Sequence, residues 1–151
     1  MINIKQGDIT EATEDLIAHQ VNCKNVMGSG VAKALFTKYP DVLAKYRWFN
    51  ERTEEHELLG KVDIFTAFSK DHSTSKKIAN CYSQFDYGSD GKLYTDYNAV
   101  NKCFKYIAEN FKGTVAVPYL YGCGLGGGDW SIVYSLIVAN LGNRVTFYKL
   151  D

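Results

Sequence analysis

Two glycine-bearing segments stand where a strand hands over to a helix, and both have the make-up of a phosphate site. The first is Val21-Asn22-Cys23-Lys24-Asn25-Val26-Met27-Gly28-Ser29-Gly30-Val31-Ala32. Glycine at such a junction lets a ligand approach the backbone, and the free amides and dipole of the helix's first turn attract an anion. Taken alone, this segment is explained equally well as a plain glycine turn. The second is Val117-Pro118-Tyr119-Leu120-Tyr121-Gly122-Cys123-Gly124-Leu125-Gly126-Gly127-Gly128-Asp129-Trp130, with five glycines in seven residues. So much chain freedom is costly to order unless it is used, and successive amides in such a loop can form an anion-holding nest.

Gly122, Gly124 and Gly127 satisfy G-x-G-x-x-G, yet the position excludes a dinucleotide fold. That fingerprint opens a first βαβ unit and has an acidic residue about 20 positions on. Here the chain is nearly finished, and Asp151 is the only acidic residue after Asp129. Neither loop ends in the Lys-Ser/Thr of a triphosphate loop. Two phosphate-grade loops point to a diphosphate with a group at each end.

Two further side chains invite chemistry and also have plainer readings. His19, on a strand just before the first loop, is a candidate base, but a satisfied core histidine is the favoured reading. Cys123 sits among amides that could activate a thiol, although a small residue that fits the loop explains it more simply.

The elements that would position these loops are legible. Ile2 and Ile4 mark a first strand ended by Gly7-Asp8, and Asp15–Val21 reads as a buried second strand. Val31–Tyr39 has helical spacing and stops at Pro40; Asp41 caps a further helix to about Arg52. Val62–Phe68 and Lys77–Gln84 are strand-like, separated by a polar turn over 69–76. Gly88-Ser89-Asp90-Gly91 is the strongest turn cluster. Asp96 opens an amphipathic helix with Val100, Phe104, Ile107 and Phe111 inward, closed by Gly113. Thr114–Val117 is a strand, Asp129–Leu141 a helix ended by Gly142, and Val145–Lys149 the last strand. This alternation predicts an α/β fold with a mostly parallel sheet and helices on both faces, its ligand beyond the carboxyl ends of the strands.

Composition narrows the function. Lysine plus arginine equals aspartate plus glutamate at 17 each, so an anion must be held by local amides and not by a broad field. That counts against phosphate tracking along nucleic acid or a charged membrane surface. The cysteines Cys23, Cys81, Cys103 and Cys123 form no C-x-x-C pair, and His19, His56 and His72 share no ligand spacing with them. No metal site is expected, and no cofactor. Scattered thiols, no leader pattern and no long apolar run lead to the expectation of a cytoplasmic protein.

With both loops in place, the sequence resembles the macro domain family along essentially its whole length. Gly7-Asp8-Ile9 resembles the family's opening motif, Asn22–Ala32 its first ligand loop, and Gly122–Gly128 its phosphate-clasping loop. The resemblance implies one macro domain over residues 1–151, a three-layer α/β/α fold with a mixed, mostly parallel central sheet, and ADP-ribose or a derivative as ligand. It implies that Asp8 accepts from the adenine amino group, with a backbone contact from Ile9 and Tyr148 near the ring. Asn22 would face the distal ribose, with Asn25 a second candidate for orienting the ribose and a water. Both would be the catalytic candidates, although asparagines in such turns also tie the loop to itself. Gly28, Ser29, Gly30 and Val31 would run along the diphosphate, facing Gly122, Cys123, Gly124, Leu125, Gly126 and Gly127.

Ala18-His19-Gln20-Val21-Asn22 and Val26-Met27-Gly28-x-Gly30 are most similar to the branch with terminal ADP-ribose hydrolases, antitoxins that remove ADP-ribose from DNA, and phage-type domains. Matching Ile78–Gln84 puts Gln84 where some members carry a catalytic lysine, and an amide cannot form a Schiff base. Catalytic aspartates of other members fall at Gly126 and Ala32. Two functions follow from the resemblance: hydrolysis of ADP-ribose 1″-phosphate or an ADP-ribosyl ester by positioning, or a non-catalytic binder or sink for ADP-ribose or a related signalling nucleotide. ADP-ribosylated protein is a conceivable partner; removal of ADP-ribose from nucleic acid is a weaker third reading.

Overall fold

The computed structural model describes residues 2–150. Six strands, β1 (Asn3–Gln6), β2 (Leu16–Asn22), β3 (Val62–Phe68), β4 (Ser75–Gln84), β5 (Val115–Pro118) and β6 (Val145–Lys149), make one sheet in the order β1-β6-β5-β2-β4-β3. Every neighbouring pair is parallel except the β3–β4 hairpin, so the sheet is mixed and mostly parallel. The helices are α1 (Gly30–Lys38), α2 (Asp41–Glu51), the one-turn α3 (Glu55–Leu58), α4 (Tyr97–Asn110) and α5 (Trp130–Leu141).

The period-two alternation of β2 serves both faces of the sheet. Leu16 and Ala18 join Val100, Phe104 and Ile107 of α4 and Val133 and Ile137 of α5 in one core. Ile17 joins Leu35 of α1 and Val42 of α2 in another. This gives three layers, with α4 and α5 on one side and α1 and α2 on the other. Asp96 and Asp129 cap α4 and α5, accepting from the amides of Ala99 and Ser131 at 2.9 Å each.

Three local expectations change. Asp41 does not cap α2; Pro40 stands at the cap, and Asp41 accepts from the Phe68 amide at 2.8 Å, tying α2 to the end of β3. β4 begins at Ser75, two residues before the predicted start, because the hairpin ladder pairs Phe68 with Ser75. Phe111, extended, is the C-cap of α4, and Gly113 lies beyond it with φ +135°.

One consequence of the topology locates the site. The chain leaves β2 into α1 on one face and leaves β5 into α5 on the opposite face. β2 and β5 are neighbours, and their ladder stops at Ile17–Ala116. Beyond that point the two strands part, and the crevice opens at the switch point where ligands bind in open α/β sheets.

Candidate functional site

A cleft of about 560 Å³ opens at the carboxyl ends of β2, β4 and β5. Asn22, Val26, Gly28, Ser29, Gly30 and Val31 line one wall, and Leu120, Gly122, Gly124, Leu125 and Gly126 line the other. Gln84, Tyr87, Gly88 and Ser89, after β4, close one end, and His19, Gln20 and Pro118 lie along its base strands. The structure thus brings the two glycine segments face to face. Asn25, Cys123 and Gly127 belong to the same loops without lining the cleft, and Asp8, Ile9 and Tyr148 lie outside its lining.

Both walls present unengaged backbone donors. Ser29 is the N-cap of α1 but makes no side-chain capping bond, unlike Asp96 and Asp129. Among the described residues, the amides of Gly30, Val31 and Ala32 have no acceptor, and neither do those of Gly124, Leu125 and Gly126 across the cleft. Two helix-terminal or loop amide groups converging on one space make an anion site without a charged side chain.

The glycines divide by what surrounds them. A Cβ on Gly28 or Gly124 would meet nothing within 4 Å, and neither residue has the left-handed φ that favours glycine. Nothing in the fold calls for glycine there; open cleft is what a side chain would fill. Gly126 differs. Its Cβ would lie 2.5 Å from Thr95 Oγ1 and 2.7 Å from the Gly122 carbonyl, and its φ is not positive. Gly126 lets the loop close on Thr95, and a Cβ on Gly127 would strike the Lys92 carbonyl. The Gly126 carbonyl in turn accepts from the amides of Tyr94 (2.7 Å) and Thr95 (3.0 Å). Part of the glycine richness therefore serves packing of the 85–96 segment.

Asn22 is held tightly. Its Oδ1 accepts from the Lys24 amide (2.9 Å) and the Tyr46 hydroxyl (2.7 Å), and its Nδ2 donates to the Val26 carbonyl (2.7 Å). The Tyr46 hydroxyl also accepts from the Val26 amide at 3.1 Å, so one buried phenol of α2 pins both ends of the first turn of this loop. Asn25 is exposed with φ +62°. Asp8 is exposed and accepts from the Thr10 amide and hydroxyl at 2.9 and 2.8 Å, capping a 3-10 turn over Ile9–Glu11. Tyr148 is buried and donates to Glu14 at 2.5 Å.

The two side chains that could act as base or nucleophile, His19 and Cys123, are held neutral. Burial pulls the His19 imidazole down to about 4, partly opposed by its 2.6 Å contact with Asn80 Oδ1. Its Nδ1 is the buried side-chain nitrogen left without a partner among the described residues. Burial and, secondarily, Asp129 push the Cys123 thiol up to about 11, and its sulfur donates to the Tyr121 carbonyl at 3.2 Å. That removes the thiolate on which nucleophilic chemistry depends. Of the aromatics around the 85–96 turn, Tyr87 lines the cleft, whereas Tyr82 stacks on Tyr46 and Phe49 in the core. No group of His, Cys, Asp and Glu side chains among the described residues could hold a metal ion.

A polar network beneath the second loop was missed in the sequence. Gln20 Nε2 donates to Gln84 Oε1 (2.8 Å) and Thr95 Oγ1 (3.1 Å), Ser83 Oγ donates to Gln20 Oε1 (2.7 Å), and Thr95 donates to the Gly122 carbonyl (2.6 Å). The Tyr121 hydroxyl lies 2.6 Å from Ser83. Polar residues near the ends of two largely buried strands, Gln20 on β2 and Ser83-Gln84 on β4, were the available signal.

The macro domain family model matches residues 18–137, which includes both cleft loops. The chain belongs to the macro domain family. Its relatives include a 17.5 kDa protein of Enterobacteria phage T4, 28% identical over 87% of this chain and 84% of that protein. A DNA ADP-ribosyl glycohydrolase of Mycobacterium bovis is 31% identical over 92% of this macro domain, which spans only 38% of that protein. Among solved structures, a Bacteroides thetaiotaomicron protein superposes with a TM-score of 0.81 at 28% identity, covering 99% of each chain. Thermosipho africanus DarTG in complex with ADP-ribose shares the fold, with a TM-score of 0.75 at 23% identity over 97% of this macro domain and 41% of that chain.

Proposed function

We propose that this macro domain binds ADP-ribose or a derivative of it, with the diphosphate between the amino terminus of α1 and the second glycine loop. The observation that carries this reading is the pair Gly28 and Gly124. Both line the cleft, neither is required by the fold, and both stand beside amides that lack an acceptor. Family membership and the ADP-ribose held by the Thermosipho africanus structure support the same ligand. In this reading the chain acts as one domain, and Asp8, Ile9 and Tyr148 serve the adenine end next to the cleft.

Hydrolysis of a bond at the distal ribose, from ADP-ribose 1″-phosphate or an ADP-ribosyl ester, is the second reading. It is favoured by the 31% identity to a DNA ADP-ribosyl glycohydrolase. The residues that line the cleft include no carboxylate, lysine or arginine. Turnover here would run by positioning: amides neutralise the phosphates, Asn22 orients the ribose, and a water attacks in line. ADP-ribosylated protein fits such a site as substrate, and adducts on nucleic acid are disfavoured by the balanced charge.

Calorimetry on the parent protein and Gly124→Ala tests the reading. The parent should bind ADP-ribose with a Kd of about 10 µM or tighter, and Gly124→Ala should bind at least about tenfold more weakly with an unchanged melting temperature. Equal affinity in the two proteins would refute the placement of the diphosphate.

A further inference from the structure

We propose that Gln84 is a specificity-determining residue, a donor of fixed polarity that selects ligands whose distal ribose carries an anionic, acceptor-only group. The inference rests on the ADP-ribose reading and concerns the end of the cleft near Gln84 and Tyr87.

The polarity of the network fixes the direction of the Gln84 amide. Thr95 gives its one hydroxyl hydrogen to the Gly122 carbonyl, which only accepts, so Thr95 Oγ1 can only accept from its other neighbour. That neighbour is Gln20, whose amide nitrogen therefore faces Thr95. The same nitrogen faces Gln84, which must present its carbonyl oxygen in return. Ser83 donates to Gln20 Oε1 in this arrangement and can accept from the Tyr121 hydroxyl. Flipping Gln84 would set its NH2 against the Gln20 NH2; flipping Gln20 would set its carbonyl oxygen against Thr95 Oγ1, whose hydrogen is held by the Gly122 carbonyl. Each leaves like groups facing one another in a partly buried network.

Gln84 Nε2 is thereby left with no protein acceptor among the described residues, in a side chain that lines the cleft. Asn22 has the same bias, because its Oδ1 already accepts twice and one Nδ2 hydrogen remains. The side chains that line the cleft include no carboxylate, so Gln84 Nε2 and the spare Asn22 N–H offer hydrogens to the ligand here. A free anomeric hydroxyl can both donate and accept there. A deprotonated phosphate only accepts, and uses every donor that the site presents.

The test compares ADP-ribose with ADP-ribose 1″-phosphate by calorimetry at pH 8, where the monoester is fully ionised. The parent should favour the phosphorylated ligand by about tenfold or more. Gln84→Glu keeps the bond to Gln20 but faces the cleft with carboxylate oxygens, and should lower that ratio by about a hundredfold, inverting the preference. Thr95→Val, which fills the same volume, removes the hydroxyl that fixes Gln20; the ratio should then fall towards unity without inverting. An unchanged ratio in Gln84→Glu, with ADP-ribose still binding, overturns the role of Gln84. A ratio in Thr95→Val equal to the parent's overturns the polarity argument. Failure of the parent to bind ADP-ribose overturns the underlying reading instead.

Discussion

At Asn22 the fold engages three of the amide's four hydrogen-bonding positions, leaving one N–H for a ligand. The residue type and its place before the first glycine loop are visible in the sequence. That its oxygen is committed to Lys24 and Tyr46 is not, because Tyr46 lies 24 positions away on another element. His19 offers a sharper test of the surroundings of the site. Burial lowers its pKa from 6.5 to about 4, so the unfolded chain takes up a proton that the native state refuses. Its contribution is fully present above pH 6.5 and falls away as the pH drops towards 4, by about 3 kcal/mol in all. Urea unfolding of the parent and His19→Leu between pH 7 and 4 should show a steeper loss in the parent by about that amount. Parallel curves would mean that the imidazole is not buried as a neutral group.

The elements separate what a local pattern reveals from what only the fold assembles. Gly126→Ala should destabilise the protein by about 1–3 kcal/mol through the crowding of Thr95 and the Gly122 carbonyl. Gly28→Ala should leave the melting temperature within about a degree of the parent's. If Gly126→Ala melts like the parent, the second loop is not closed on Thr95. β3, the Asp96 and Asp129 caps and the α4 core stripe of Val100, Phe104 and Ile107 follow directly from periodicity and cap chemistry. The antiparallel pairing of β3 with β4 does not, because alternation says which face a residue takes and not which way its neighbour runs. Nor does the packing of Lys92 on Gly127, which made the glycines of the second loop look uniformly ligand-directed. α3 is a single turn, too short for any periodic signal.

For the whole molecule, the sheet order sets where the cleft opens. β2 and β5 meet as neighbours but send their chains to opposite faces, so the two loops part over one crevice and one ligand can span both. The matched order of motifs along the sequence is what made this arrangement legible through family resemblance; composition alone gives only a chain of balanced charge. No helix among the described residues is long and apolar enough to cross a membrane. The central claim is that one ligand bridges both glycine loops through a diphosphate, and calorimetry with AMP and ADP-ribose on the same sample tests it most directly. ADP-ribose should bind with a free energy of about −7 kcal/mol or better, and AMP, which reaches one loop only, at least about 1.4 kcal/mol more weakly. Equal affinities for the two ligands would contradict the two-loop site.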